Sequence, residues 1–194
     1  PTGNAVSLDL KRGAYVLYDL GEEYIGHVRL TLDAPAGTVV RLAYDERLRA
    51  DGLLDLFMTN PFCDTADQYT LAGGKQTVET FHPRGGRYVA VHFSPGTGNA
   101  TVHGCEVRSA TCVDGDPTGF STDNELLNWS WKLGCETALV NIEDSFCDSP
   151  WRERGTYLLD GYNHTLVHLT HFHDRRTCSR ALRLFAQGNN PDGM

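Results

Sequence analysis

The period of the apolar pattern changes once along this chain, and that change limits the fold more than any other feature. From about residue 5 to 110, short runs rich in Val, Tyr, Thr and Leu are separated by Gly, Pro and Asp, as short strands and turns require. Runs at 14–19, 24–32, 38–44, 68–71, 77–81, 87–93 and 100–108 predict seven strands. Within 24–32, His27, Arg29 and Thr31 alternate with Val28, Leu30 and Leu32, so one face meets water and the other a core. Asp33-Ala34-Pro35-Ala36-Gly37 and Ala72-Gly73-Gly74-Lys75 carry turn chemistry. The expected architecture is an antiparallel β-sandwich of jelly-roll type. Its longest irregular connection, 45–66, is the kind of loop on which binding residues often sit.

Beyond residue 120 the period becomes helical. Thr122-Asp123-Asn124-Glu125 reads as a capping box with Thr122 or Asp123 as N-cap. Leu126, Leu127, Trp129, Trp131, Leu133 and Ala138 then predict a helix buried on more than one side. Trp129 and Trp131 lie two apart and cannot both point inward. A second helix is expected from 150 or 155 to 172, and a third over 175–186 before Gly188-Asn189-Asn190-Pro191-Asp192-Gly193. Strands first and helices after argue for two domains, 1–115 and 116–194, and against one α/β unit. Three helices are too few to close a helical domain, so a longer protein is expected.

The densest chemistry lies at 148–160, where Asp148, Glu153 and Asp160 share thirteen residues with Trp151, Arg152, Arg154 and Tyr157. Pro150 suits a first helical turn. A helix from there would put Glu153 and Asp160 on one face and Asp148 at its positive mouth. Acids beside arginines and aromatics suit a sugar-cleaving site. One acid protonates the leaving oxygen, others hold hydroxyls, and an aromatic face covers the apolar side of the ring. A solvated helix start, with acids placed for the dipole, explains the same composition.

Composition removes other classes. The formal charge of −8, with no basic stripe, argues against a nucleic-acid or anionic-membrane partner. No apolar run is long enough to span a bilayer. Six cysteines without a C-x-x-C pair point away from a zinc ribbon and towards free, mostly buried thiols. His164, His168 and His171 fall at i, i+4 and i+7, but without H-E-x-x-H, so no metal is expected. Asp144, Asp148 and Asp114-Gly115-Asp116 lack the spacing of a calcium loop. Ser145, Ser149, His164 and Asp160 come without a G-x-S-x-G elbow, and no Gly-rich stretch makes a phosphate loop.

Asp148-Ser149-Pro150-Trp151-Arg152-Glu153, followed by Tyr157 and Asp160, resembles the Asp-Cys-Pro-x-Arg-Glu/Asp signature of the bacterial α-L-rhamnosidases of glycoside hydrolase family 78. Tyr18-Asp19-Leu20-Gly21, Tyr24-Ile25-Gly26-His27-Val28, Arg41-Leu42-Ala43-Tyr44-Asp45-Glu46, Asp67-Gln68-Tyr69-Thr70-Leu71 and Pro83-Arg84-Gly85-Gly86-Arg87-Tyr88-Val89 are similar to that family's jelly-roll domain. The resemblance implies that the helices open an (α/α)6 barrel and that terminal α-L-rhamnosyl residues are hydrolysed with inversion. It places Glu153 as general acid and Asp148, Arg152, Tyr157 and Asp160 against the sugar. Tyr157 stands where the family has tryptophan, and Ser149 where it has cysteine.

No residue matches the family's late general base, so the 194 residues alone are expected to be inactive. The implied partner is a rhamnose-containing glycoside or oligosaccharide, with no cofactor. Glu153 must carry its proton at working pH, and Arg152 is expected to support Asp148 or a sugar hydroxyl instead of pairing with Glu153. The alternative is a carbohydrate-binding or structural β-sandwich module without turnover. Aglycone, oligomeric state and compartment are not legible in the residues.

Overall fold

The computed structural model describes residues 5–54, 65–113 and 117–188. Cys63, the Asp114-Gly115-Asp116 turn with the expected boundary at 115, part of the 45–66 connection and the closing 189–194 lie outside the described residues. Contacts divide the chain into two compact units, Pro1–Ser109 with Trp151–Glu153, and Ala110–Pro150 with Arg154–Met194.

The first unit is an antiparallel β-sandwich of β1 (Val6–Asp9), β2 (Ala14–Ala34), β3 (Val39–Asp45), β4 (Ala66–Thr70), β5 (Gly74–Glu79), β6 (Arg84–Phe93) and β7 (Asn99–Ser109). Strand β2 belongs to both layers. Its first half pairs with β6, which continues to β3 and β4, and its second half lies between β5 and β7, with β1 beyond. The sequence break expected at 20–23 is a bulge within one strand. Asp19 faces Tyr88 and Tyr24 faces Gly86, so the surplus residues, including left-handed Gly21, bend the strand without ending it.

Alternation builds the core. Val40, Leu42 and Tyr44 of β3 and Val89, Val91 and Phe93 of β6 join Val28, Leu30 and Leu32 of β2 and Ala100, Val102 and Cys105 of β7. Parity changes between Val102 and Cys105 because β7 bulges there, Thr31 facing Gly104 and Leu32 facing Val102. The extra residue keeps both halves of β7 pointing inward. Each large aliphatic side chain taken from water contributes about 1.5–3 kcal/mol, so this alternation outweighs the exposed ion pairs. On the outer face, small Ala43 and Ala90 leave room for Leu54, with Leu48 and Tyr88 packed alongside.

One polar network sits at the edge of this core. The Tyr44 hydroxyl donates to Asp67 at 2.9 Å, and Arg84 grips the same carboxylate through Nε at 2.9 Å and Nη2 at 2.7 Å. Three of the segments that carry the family resemblance therefore meet in one cluster. Gly86 is required beside it: φ is +143°, and a Cβ would stand 2.9 Å from the Asp45 carbonyl oxygen.

The second unit contains α1 (Glu125–Val140), α2 (Leu158–His171) and α3 (Arg175–Gln187). Asn124, not Thr122 or Asp123, caps α1, accepting from the N–H groups of Leu126 and Leu127. Thr122 is engaged instead with Asn124 and Asn128. The expectation that α1 is buried on several sides is not met, because Leu126, Leu127, Trp129 and Leu133 are exposed. Trp131 is the inward tryptophan. It stacks between Phe120 and His171, with its indole N–H on the Thr118 carbonyl.

Asp174 caps α3 through the Arg176 N–H. Ile142, Phe146, Cys178 and Ala181 form a small core with Val113 and Phe185 against it. Cys105, Cys112, Cys135, Cys147 and Cys178 are free thiols, and all but Cys112 are buried. Among the described residues no helix is long and apolar enough to cross a membrane.

Candidate active site

The acidic motif lies in an irregular stretch, and α2 begins only at Leu158. The expected second helix forms but does not start at Pro150 or Gly155, because local interactions hold the chain before Leu158 on another path. Asp148 donates its N–H to the Gly155 carbonyl at 2.9 Å and accepts the Gly155 N–H on Oδ1 at 2.7 Å, closing a loop over 149–154. Arg154 adopts φ 53°, the left-handed region that terminates a helix. Its guanidinium meets the Glu143 carboxylate. The residue before Pro150 is also steered away from the helical region. The Tyr157 ring lies over Gly155, where a Cβ would approach Cε2 to 2.7 Å.

Two expectations fall with that early start. Glu153 and Asp160 do not share a helix face, and Asp148 binds its own loop instead of a helix mouth. Asp160 does lie in the first turn of α2, where the dipole favours a carboxylate.

The helical unit brings Asp148 and Asp160 each within electrostatic reach of His164. Burial lowers the affinity of the His164 imidazole for a proton, while Asp160 and Asp148 and a hydrogen bond with the Cys147 backbone oppose that loss. The His164 ring stacks on Phe146 with centroids 5.5 Å apart. Tyr157 is half exposed. His164 was legible as one of a helical row, but the row's period does not mark which member neighbours the acids.

Trp151, Arg152 and Glu153 group with the strands. Arg152 Nη2 lies 3.6 Å from Glu153 Oε1, so Arg152 stands beside the carboxylate it was not expected to pair with. The Glu153 side chain is 29% exposed. The Trp151 indole N–H donates to the Tyr44 carbonyl at 2.7 Å, and its ring packs on the sandwich core.

Further carboxylates lie on the same unit. Burial raises the Glu46 carboxyl, Asp45 adds to that, and Arg47 and Arg152 oppose it. Glu23 is pushed up to about 8, first by burial and then by Glu46 and Asp45, against a hydrogen bond from the Gly86 backbone. Glu23 carries no motif signal in the sequence, and Glu46 stands there only at the end of the 41–46 segment of the family resemblance.

His168 is fully buried and His171 nearly so, both inside the helical unit. Among the described residues no group of three or more His, Cys, Asp or Glu side chains is placed to hold a metal ion. A groove of about 390 Å³ runs along α1 and α2, lined by Leu133, Gly134, Thr137, Asn163, His164 and Val167 among others. Asp148 and Asp160 lie outside that lining.

Comparison with known proteins adds four findings. The profile of the family described as "Bacterial alpha-L-rhamnosidase concanavalin-like domain" matches residues 9–108. An α-L-rhamnosidase of Streptomyces avermitilis is 43% identical over 150 residues, covering 76% of this chain and 13% of that protein. The family 78 rhamnosidase of Bacillus sp. GL1 superposes with a TM-score of 0.78 at 26% identity, over 88% of this chain and 18% of the other. A rhamnosidase from Klebsiella oxytoca, solved with rhamnose bound, superposes at 0.76 with 20% identity, over 92% of this chain and 37% of that one, and so speaks for the fold. The chain thus spans well under half the length of each of these relatives.

Proposed function

The chain belongs to the bacterial α-L-rhamnosidase family, and we propose that its protein hydrolyses terminal α-L-rhamnosyl residues with inversion, Glu153 serving as the general acid. The observation that supports this reading most is the acidic motif 148–160 standing on the same chain as the family's sandwich.

In this reading Glu153 gives its proton to the glycosidic oxygen as the bond to the anomeric carbon breaks. The carboxylate left behind has the Arg152 guanidinium within 3.6 Å. Asp148 and Asp160, with His164 near both, accept hydrogen bonds from ring hydroxyls, and the half-exposed Tyr157 covers the apolar side of the sugar. The water attacks from the opposite face, activated by a base on a further part of the protein. An inverting pair keeps its carboxyl groups roughly 6.5–9.5 Å apart to hold that water. The substrate is a rhamnose-containing glycoside or oligosaccharide.

The helices are proposed as the opening of an (α/α)6 barrel within a domain spanning 116–194 and beyond, after a sandwich domain over 1–115. Leu126, Leu127, Leu133, Leu158, Leu159 and Leu166 are apolar and exposed, a surface that further barrel helices would cover. A panel of p-nitrophenyl glycosides offered to the longest natural form tests the sugar. Release from the α-L-rhamnoside is expected. Release only from other glycosides discards rhamnose, and a product first appearing as the α anomer discards inversion.

A further inference from the structure

The tripeptide Trp151–Glu153 has no helix or strand of its own to hold it. Its anchor is Trp151. The indole N–H donates to the Tyr44 carbonyl across 107 positions of sequence, at 2.7 Å. The ring packs against the cluster formed by Tyr44, Val89, Phe93 and their neighbours.

The acceptor is rigid for reasons already visible in the strands. Tyr44 is 1% exposed, its N–H donates to the Thr65 carbonyl, and its hydroxyl is fixed on Asp67, itself gripped by Arg84. A carboxylate from the same strand end, Glu46, attracts Arg152, the next residue of the tripeptide. An irregular loop bearing a charged pair would otherwise sample many backbone conformations, each costing catalysis its geometry.

We propose that Trp151 is a positioning residue: its indole, seated on the β3 backbone, holds Arg152 and Glu153 to the sandwich in the geometry that proton donation needs. The sandwich then takes part in catalysis by fixing the acid. This inference rests on Glu153 being the general acid.

The test uses the longest natural form of the protein and a series of α-L-rhamnosides whose leaving groups run from dinitrophenol to a simple alcohol. A misplaced acid harms substrates with basic leaving groups most, since dinitrophenolate departs without a proton. Trp151→Phe keeps an aromatic ring and removes the N–H donor. It is expected to lower kcat on the alkyl rhamnoside about 10- to 100-fold, leave dinitrophenyl rhamnoside nearly unchanged and hardly move KM.

If Trp151→Phe does not fold, 3-benzothienylalanine at 151 keeps the bicyclic shape, removes only the N–H, and carries the same expectation. A leaving-group dependence parallel to the native enzyme's, in a folded variant, overturns the anchor. Glu153→Gln is run beside it. If Glu153→Gln steepens the dependence while Trp151→Phe does not, the anchor alone fails. If Glu153→Gln leaves the dependence unchanged, or the native protein does not turn over the series, the acid assignment fails and the anchor with it.

Discussion

Asp67→Ala tests the polar network that fixes the end of strand β3. The carboxylate accepts from the Tyr44 hydroxyl at 2.9 Å and from Arg84 at 2.9 and 2.7 Å, and the Arg84 and Asp67 side chains are only 13% and 22% exposed. Removing it takes the carboxylate from a largely buried guanidinium and from a buried hydroxyl. Breaking a buried pair from one side costs roughly 3–5 kcal/mol, and the remaining exposure points to the lower end, about 3 kcal/mol. At about 4–8 °C per kcal/mol for a domain of this size, the sandwich transition should fall by roughly 12–24 °C. Thermal melts by far-ultraviolet circular dichroism read this directly. The double variant Asp67→Leu with Arg84→Met should recover part of the loss, because an apolar pair of similar volume leaves only the Tyr44 hydroxyl without its acceptor. A fall of less than about 4 °C in the single variant, under 1 kcal/mol on the same scale, would refute the reasoning. So would a double variant as unstable as the single one.

Glu23 binds its proton more tightly folded, up to about 8, than unfolded, so its contribution to stability is full below the unfolded carboxylate range and is lost as pH rises towards 8. Urea midpoints between pH 5 and 8 should show that decline in the native chain and a flatter line in Glu23→Gln. In the helical unit the sign reverses. Burial lowers His164 and His168, so the unfolded chain takes up protons first, and stability should drop as pH falls through the ordinary histidine value of 6.5. Helical signal followed from pH 8 to 5 in fixed urea checks it. Asn124→Ala removes the acceptor for two N–H groups of α1 and should cost about 1 kcal/mol in the same assay, whereas Asn124→Asp should cost little.

The strands were legible because burial on one face imposes a period of two, and the core residues of β3 and β6 follow it without exception from Val40 to Tyr44 and Val89 to Phe93 on alternate positions. Strand β2 was read as two runs because Leu20-Gly21-Glu22-Glu23 has turn composition. Pairing across the bulge is what makes it one strand. The motif 148–160 was read as the start of a helix, and it is helical only from Leu158 on. Pro150 is compatible with a helix start, whereas the Asp148–Gly155 closure and the left-handed Arg154 depend on contacts that no helical period encodes. The Trp151 anchor was illegible for a simpler reason: its partner is a backbone carbonyl on a distant strand. Glu23 and Glu46 were missed likewise, since their electrostatic influence on each other joins segments far apart in the sequence.

The most direct test of the central claim is kcat/KM of the longest natural form and of its Glu153→Gln variant on an alkyl α-L-rhamnoside, whose leaving group needs a proton. General acid catalysis typically contributes 10²–10⁴-fold, so the variant should lose about that much while still binding rhamnose. A variant that keeps most of the native rate would contradict Glu153 as the acid.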